Sequence, residues 1–501
     1  MKSNFLFVLV SLFCLLTLHA QRPFESTARA IGLESIPKFT SFLALPNDAT
    51  KPEDIDKNIA WVSAELDALG FEVTRLETSA LPLLVANLLV NKSLPTLAFY
   101  MHLDGQAVDV TQWDQENPYT AVLKAKEGNE FHTLSWDELS SEKVDDFRIF
   151  ARSSADDKGP FVMFVTALHH LKKEAILPAF NIKLILDFEE EQSSPGLPEA
   201  VKKYKDKLMA DVLLILDGPV HSSGKPTLVF GNRGIAVLTL TAFGPLAPQH
   251  SGHYGNYIPN PALELSKALA SMKDDQGRVL IPGFYEGINL DAAAKRILEG
   301  VPPEEKAIKE RTQTKRNDWV GSSYQESIQY PSLNIRGMQS GWVGKEARTI
   351  IPATATAEMD IRLVVESNPY QLIAGVKTHL VKQGYTVLDH IPTQAERMTH
   401  ERIIQMTSKV AYPAFRTDTE SKEGKWLSTL FTNYYKEKPV MIRTSGGSVP
   451  ISPFVSELGV PAIGVPTVNL DNNQHSPNEN LRLGNYLNGI ESFLAILTTA
   501  F

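Results

Sequence analysis

Thr96-Leu97-Ala98-Phe99-Tyr100-Met101-His102-Leu103-Asp104-Gly105 starts as an almost wholly apolar run and ends by presenting an imidazole and a carboxylate two positions apart. Such a run marks a strand covered on both faces, as in a sheet sandwiched between helices. In open α/β sheets the binding groups collect at the carboxyl ends of the strands, where His102 and Asp104 fall. The same grammar continues on either side. Phe71–Leu76, Leu83–Val90, Ile182–Phe188 and Val212–Leu216 read as further strands, and Phe161–Leu171 and Pro198–Met209 read as helices. Within Asn47–Gly70, the acidic Glu53-Asp54 precede apolar Ile55, Ile59, Trp61, Val62, Leu66 and Leu69, an amphipathic helix closed by Gly70. Alternating strands and helices predict an α/β/α sandwich on a mixed sheet.

After Gly218-Pro219 the pattern changes. Thr227–Phe243 and Ala355–Val365 alternate with period two, and Pro261–Met272 and Pro369–Gln383 suit helices. This predicts a smaller inserted α+β domain, an antiparallel sheet with helices, over residues 228–395. Residues 21–227 and 396–501 then form the catalytic domain, the return leg carrying helical Trp426–Lys436 and the short strand Ala462–Val465.

Composition bounds the function. A chain of 501 residues suits two or three domains, and 43% hydrophobic with 21% charged residues is ordinary for a compact soluble protein. The net charge is −9 and the basic residues are scattered, which argues against a nucleic-acid or acidic-membrane partner. Lys2, the apolar run Phe5–Leu18 and His19-Ala20-Gln21 read as a signal peptide over residues 1–20, so a periplasmic or extracellular location is expected, with no membrane span in the mature chain. The sole cysteine, Cys14, lies in that leader. Any metal must then be held by His, Asp and Glu.

Five segments place such ligands beside strand ends or helix starts: His102-Leu103-Asp104-Gly105, Ser154-Ala155-Asp156-Asp157-Lys158-Gly159, Asp187-Phe188-Glu189-Glu190-Glu191, Asp217-Gly218 and Gln474-His475-Ser476. One by one they are also what a structural histidine or a solvated acidic turn would look like. Together, in a mature chain without cysteine, they favour a metal site.

The order of these motifs, with His250-Ser251-Gly252 leading to Asn260-Pro261, Gly446-Gly447-Ser448 and His475-Ser476-x-Asn478-Glu479, resembles the dinuclear zinc peptidases: carnosinases, carboxypeptidase G, succinyl-diaminopimelate desuccinylase and aminoacylases. The likeness runs over nearly the whole mature chain. Ile281-Pro282-Gly283-Phe284-Tyr285 and Pro331-Ser332-Leu333-Asn334-Ile335 are similar to the carnosinase-like branch. The resemblance implies that Asp156 bridges two zinc ions, with His102 and Asp217 on one and Glu191 and His475 on the other, and that the Asp156–Asp157 peptide bond is cis. Asp104 would fix the His102 tautomer. Glu190 would be the general base of a zinc-activated water, although spacing leaves open a register with Glu189 as base and Glu190 as ligand. His250 from the smaller domain of a second subunit would stabilise the oxyanion, with His253 as its neighbouring decoy, so a homodimer is implied. Arg362 would grip a substrate carboxylate, with Ser448, Gly447, Asn334 and Thr349 as lesser contacts.

The implied activity is hydrolysis of an amide bond in dipeptides or small peptides. Deacylation of N-acyl amino acids on the same fold, and a binding protein without chemistry, stand as alternatives. His and carboxylate ligands also accept cobalt or manganese. The chain departs from the family pattern in three places. Ala151-Arg152-Ser153-Ser154 stands where Gly-Arg-Gly is common, and Thr444-Ser445 replaces the Arg-Glu before Gly-Gly-Ser. A long segment, Thr111–Ile149, reads as either an extra hairpin at the pocket mouth or a solvated insertion.

Overall fold

A computed structural model describes residues 22–501, so the leader expected over residues 1–20 lies outside them. The organising element is an eight-stranded mixed sheet in the order Glu72–Leu76, Leu83–Leu88, Asn181–Asp187, Thr96–His102, Val212–Ile215, Ala462–Gly464, Thr227–Val229, Val440–Ile442. Thr96–His102 runs parallel to both of its neighbours, Asn181–Asp187 and Val212–Ile215. Their carboxyl ends therefore point to one edge of the sheet. Successive side chains on a strand face opposite ways, and the burial follows that rule. Leu97, Phe99 and Met101 enter a core made with the helices Glu25–Leu43, Pro52–Leu69, Lys158–Lys173 and Leu483–Thr498. Ala98 and Tyr100 enter a second core on the opposite face, under Leu197–Lys203 and Ser452–Leu458. The expected α/β/α sandwich is what forms.

The helix Lys158–Lys173 is buried along nearly all of its length. Its first residue anchors it in an unusual way: the Lys158 ammonium, fully buried over the Phe42 ring, donates to the carbonyls of Phe42 and Leu45 at 3.0 and 2.6 Å. Burial pushes this amine well below its ordinary pKa. The lysine thereby ties its own helix to the C-terminal end of the helix Glu25–Leu43, where the Phe42 carbonyl also accepts from the Leu45 N–H.

The inserted domain is built on a five-stranded sheet, ordered Ser332–Gln339, Thr354–Leu363, Gly234–Phe243, Ile403–Tyr412, Thr386–Leu388, with its own core. Two expected boundaries move. Thr227–Val229 belongs to the large sheet and Gly231–Asn232 pairs with Phe415–Arg416, so the small domain begins near Gly234 rather than at residue 228. Ile403–Tyr412, placed by the sequence in the return leg, pairs with Gly234–Phe243, so the small domain ends at Tyr412 rather than at residue 395. The physical reason is that Ile403–Tyr412 is paired on both edges within the small sheet, with Gly234–Phe243 on one side and Thr386–Leu388 on the other.

The segment Thr111–Ile149 is a folded hairpin, not a solvated excursion. Val122–Glu127 pairs with Glu130–Thr133, and with Arg148–Phe150 and Asn480–Arg482 they make a four-stranded sheet. Among the described residues no helix is long and apolar enough to cross a membrane.

Gly159 sits where backbone approaches closely. A Cβ there would lie 2.2 Å from the Ser154 carbonyl oxygen and 2.8 Å from Leu481 Cδ2. Because the nearer contact is backbone, Gly159→Ala is expected to lower stability by about 1–3 kcal/mol, read as a drop in the urea midpoint without change in m-value.

Candidate metal centre

The parallel strands deliver the site. His102 is the last residue of its strand, Asp217 follows Val212–Ile215, and Glu190 and Glu191 form a short turn after Asn181–Asp187. Asp156 arrives on the loop before the helix Lys158–Lys173, and His475 on a loop before Asn480–Arg482. His102, Asp156 and Asp217 form one group whose potential ligand atoms all lie within 4.8 Å of one another; Asp156, Glu191 and His475 form another. Asp156 is common to both. Its Oδ1 lies 2.7 Å from His102 Nε2 and its Oδ2 3.1 Å from His475 Nε2, which is also 3.2 Å from Glu191 Oε2. The Asp156–Asp157 peptide bond is cis, as the motif implied.

Charge explains why these groups need a guest. Burial, with the Asp156 charge beside them, pushes Glu191 up to about 7 and Asp217 up to about 6. Burial drives Glu190 well above the carboxylate range despite His102, with Asp217 and Asp156 adding to the rise. The hydrogen bond from His475 to Asp156 lifts that imidazole to about 9 against its burial. Burial opposes a charge on His102, but Asp156 and the contact to Asp104 outweigh it and raise its pKa well above normal. Among the described residues two imidazoles, His102 and His475, face Asp104, Asp156, Glu190, Glu191 and Asp217, so the cluster carries an excess of acid that two divalent cations would offset. The donor set is hard and borderline, oxygen and imidazole nitrogen, and three ligands per group leave coordination positions open. The residues fit a pair of such ions.

Several supports were not assigned from sequence. Asp104 meets His102 Nδ1 at 3.3 Å, as expected of a tautomer-fixing acceptor, and also accepts from the backbone N–H of Glu190 and Glu191 at 3.1 and 3.0 Å. Asp187 accepts from Tyr100 Oη, Ser194 Oγ and the Glu189 N–H, holding the same acidic turn from behind. Glu189 is turned away and accepts from the Leu81 N–H at 3.1 Å, which disfavours the register that made it the base. Gln106 donates to Glu191 Oε2 at 2.7 Å. Glu479 is fully buried and accepts from four donors: Arg152 Nη1 and the backbone N–H of Ser153, Ala155 and Asp156. It was legible only as the last letter of a motif.

Beside the cluster lies a cavity of about 390 Å³. Asp156, Glu190, Asp217, Gln474 and His475 line one side of it; Asn232, Ile235, Arg362, Tyr412, Gly447 and Ser448 line the other. Arg362 Nη1 donates to Ser448 Oγ at 2.8 Å, and its Nε stands 3.4 Å from Asp360. Of the expected site residues, His102, Asp104 and Glu191 belong to the cluster without lining the cavity, and Asn334, Thr349 and His250 are placed elsewhere. Asn334 is spent on Asp360, to which it donates at 3.0 Å, and so acts on Arg362 only through that carboxylate. Thr349 is exposed and offers its carbonyl to the Ser251 N–H. His250 is exposed on the small domain, its Nδ1 accepting from the Gly252 N–H and its ring 4.6 Å from that of His253. Within one chain it does not reach the cluster's cavity.

Comparison with known proteins follows the same lines. Residues 98–499 match the family described as Peptidase family M20/M25/M40. The human Beta-Ala-His dipeptidase is 25% identical over 492 residues, covering 92% of this chain and 89% of that one. The Cys-Gly metallodipeptidase of Schizosaccharomyces pombe is 25% identical over 412 residues, covering 80% of this chain and 79% of its own. Among solved structures, an M20 family metallo-carboxypeptidase from Sulfolobus solfataricus superposes with a TM-score of 0.76 at 26% identity, covering 93% of this chain and 98% of the other. Human carnosine dipeptidase 1 gives 0.74 at 21% identity, covering 95% and 99%, a likeness of fold.

The Glu479 environment generates a sharp expectation. All four of its partners are donors, so Glu479→Gln must turn an NH₂ toward at least one of them whichever way the amide lies. A loss of about 2–4 kcal/mol is expected, measured by thermal or urea unfolding, together with weaker divalent-metal binding because the Asp156 backbone loses its anchor.

Proposed function

This chain belongs to peptidase family M20/M25/M40, and we propose that it is an exported dinuclear metallodipeptidase, zinc-dependent, in which Glu190 is the general base. The observation that carries the reading is Asp156 shared between two three-ligand groups, with Glu190 beside it and the Arg362 guanidinium across the cavity. The names of the relatives, dipeptidases of 25% identity along most of the chain, support the substrate class. The leader-like residues 1–20 support export.

The division of labour follows from the geometry. Arg362, with Ser448 holding its guanidinium, binds the substrate's terminal carboxylate in a bidentate manner and so sets which amide lies over Asp156. His102, Asp156, Asp217, Glu191 and His475 would hold two divalent cations, which when bound would supply Lewis acidity for the amide carbonyl and for water. Glu190, whose carboxylate is buried among acids and therefore basic, takes the proton from the attacking water on an Oε atom. The same oxygen then delivers it to the leaving amine nitrogen. Asp104 keeps both His102 and the Glu190 backbone in place during the transfer. His250 of a second copy donates to the developing oxyanion; its exposed position, away from its own chain's cavity, supports that arrangement and the homodimer it requires.

One observation favours a second reading. Among the described residues, the carboxylates lining the cavity are Asp156, Glu190 and Asp217, all of the reacting cluster, with none beyond it to face a free ammonium group. Ser445 lines it where the family often has glutamate. An N-acyl amino acid would suit that lining, and a mass-spectrometric screen of zinc-, cobalt- and manganese-loaded protein against dipeptides and N-acyl amino acids decides between them.

Glu190→Ala is expected to lower kcat by about 10²–10⁴-fold while two metal ions per chain remain bound, measured by elemental analysis beside steady-state kinetics. Unchanged turnover removes Glu190 from its role. For catalysis across subunits, mixing His250→Ala with Asp156→Ala protein should restore activity that neither has alone, through hybrid dimers carrying one intact site. Absence of complementation in verified heterodimers rules that arrangement out.

A further inference from the structure

The small sheet presents a row of three side chains to the cavity. Ile235 pairs across the ladder with Arg362 on one side and with Tyr412 on the other, and all three line the cavity opposite the metal cluster. Tyr412 is there because the ladder is irregular. Ala236 faces Val410, so an unbroken antiparallel register would set Ala411 against Ile235; a bulge supplies the extra residue and brings Tyr412 into that place instead. Bulges re-aim side chains in this way, and they recur beside functional sites. Neighbouring strands stand about 4.8 Å apart, so the Tyr412 position lies two strand spacings, on the order of 10 Å, from that of Arg362.

We infer that Tyr412 is a specificity-determining residue: with Ile235 it forms the wall on which the side chain of the carboxylate-bearing, leaving residue packs. The enzyme then prefers dipeptides whose C-terminal residue is large and apolar over those ending in glycine. The inference rests on the peptidase reading above. With its carboxylate on Arg362 and its amide nitrogen over Asp156, the leaving residue has its Cα beside Ile235, and a branched or aromatic side chain extends over Ile235 toward the phenol ring. Val229 and Val449 line the same cavity and add apolar surface. Burial and the nearby Glu190 charge push the Tyr412 hydroxyl up to about 12, so the ring stays neutral and offers no charge to an acidic or basic side chain at working pH.

The test compares kcat/KM of the zinc-loaded full chain on Ala-Leu, Ala-Phe and Ala-Gly. Preference for Ala-Leu and Ala-Phe over Ala-Gly by about tenfold or more is expected, since each well-packed methylene contributes a sizeable factor in an apolar pocket. Tyr412→Ala should collapse that ratio toward unity, whereas Tyr412→Phe should keep it, because the ring and not the hydroxyl carries the contact. Equal kcat/KM for the three peptides in the unmodified enzyme overturns the inference without recourse to any variant. So does a Tyr412→Ala protein of native metal content that slows all three equally. Hydrolysis of none of them, with N-acyl amino acids cleaved instead, overturns the dipeptidase reading and this inference with it, an outcome distinct from cleavage without preference.

Discussion

A carboxylate that serves two cation-binding groups at once tolerates little displacement, because movement toward one group is movement away from the other. Asp156 is under that constraint, with an imidazole 2.7 Å from one oxygen and another 3.1 Å from the second. Much of the surrounding structure acts to hold it still. Glu479 gathers the backbone N–H groups of the loop that carries it, Lys158 pins the helix that follows, and Gly159 permits the turn between them. Buried hydrogen-bond networks of this kind rigidify a site, and their members weaken together when one is removed. Within the same acidic cluster Asp104 accepts from the Glu190 and Glu191 N–H groups, and Asp187 accepts from the Glu189 N–H.

The site is also polarised. One bank of the cavity is an acidic cluster, and the other carries a guanidinium already oriented by Ser448 and Asp360. A substrate with one free carboxylate has one favourable orientation in such a field, since reversal would set like charges together without a partner for Arg362. The acidic bank belongs to the sandwich, whereas Ile235, Arg362 and Tyr412 of the facing bank are carried by the small sheet, which has its own core. The distance between the acidic cluster and Arg362 therefore depends on the relation between two bodies, and not on the interior packing of either.

The sandwich was readable because strands buried on both faces leave unbroken apolar runs, and His102 and Asp217 stood out because they follow such runs, whereas Asp156 and His475 lie on loops and were marked as ligands only by the resemblance of the motif order to a known family. What could not be read has particular causes. The helix Leu483–Thr498 is buried on nearly every face, so it lacks the polar stripe that marks a helix by its period. The helix Glu25–Leu43 carries Pro37 and Gly32 within it, residues that normally argue against one. Ile403–Tyr412 has exposed Thr407, Ser408 and Lys409 in succession, which erases the alternation of a strand. Glu479 acts on backbone groups more than three hundred positions away, and backbone donors have no letter in a sequence. Tyr412 owes its direction to a bulge, which depends on the pairing of two strands and not on local residue preference. His250 is legible as a motif, yet its expected partner belongs to another molecule.

The crossings between the two bodies have a consequence of their own. The outgoing chain at Gly231–Asn232 and the returning chain at Phe415–Arg416 are hydrogen-bonded side by side, and the strands flanking them, Thr227–Val229 and Val440–Ile442, are themselves neighbours in the large sheet. To its host, the whole intervening module is topologically no more than a long loop whose ends already touch. Since the entropy of closing a loop grows only with the logarithm of its length, such a graft burdens the host little however large it becomes. That leaves the module free to change size and surface over evolutionary time while the catalytic sheet remains as it was.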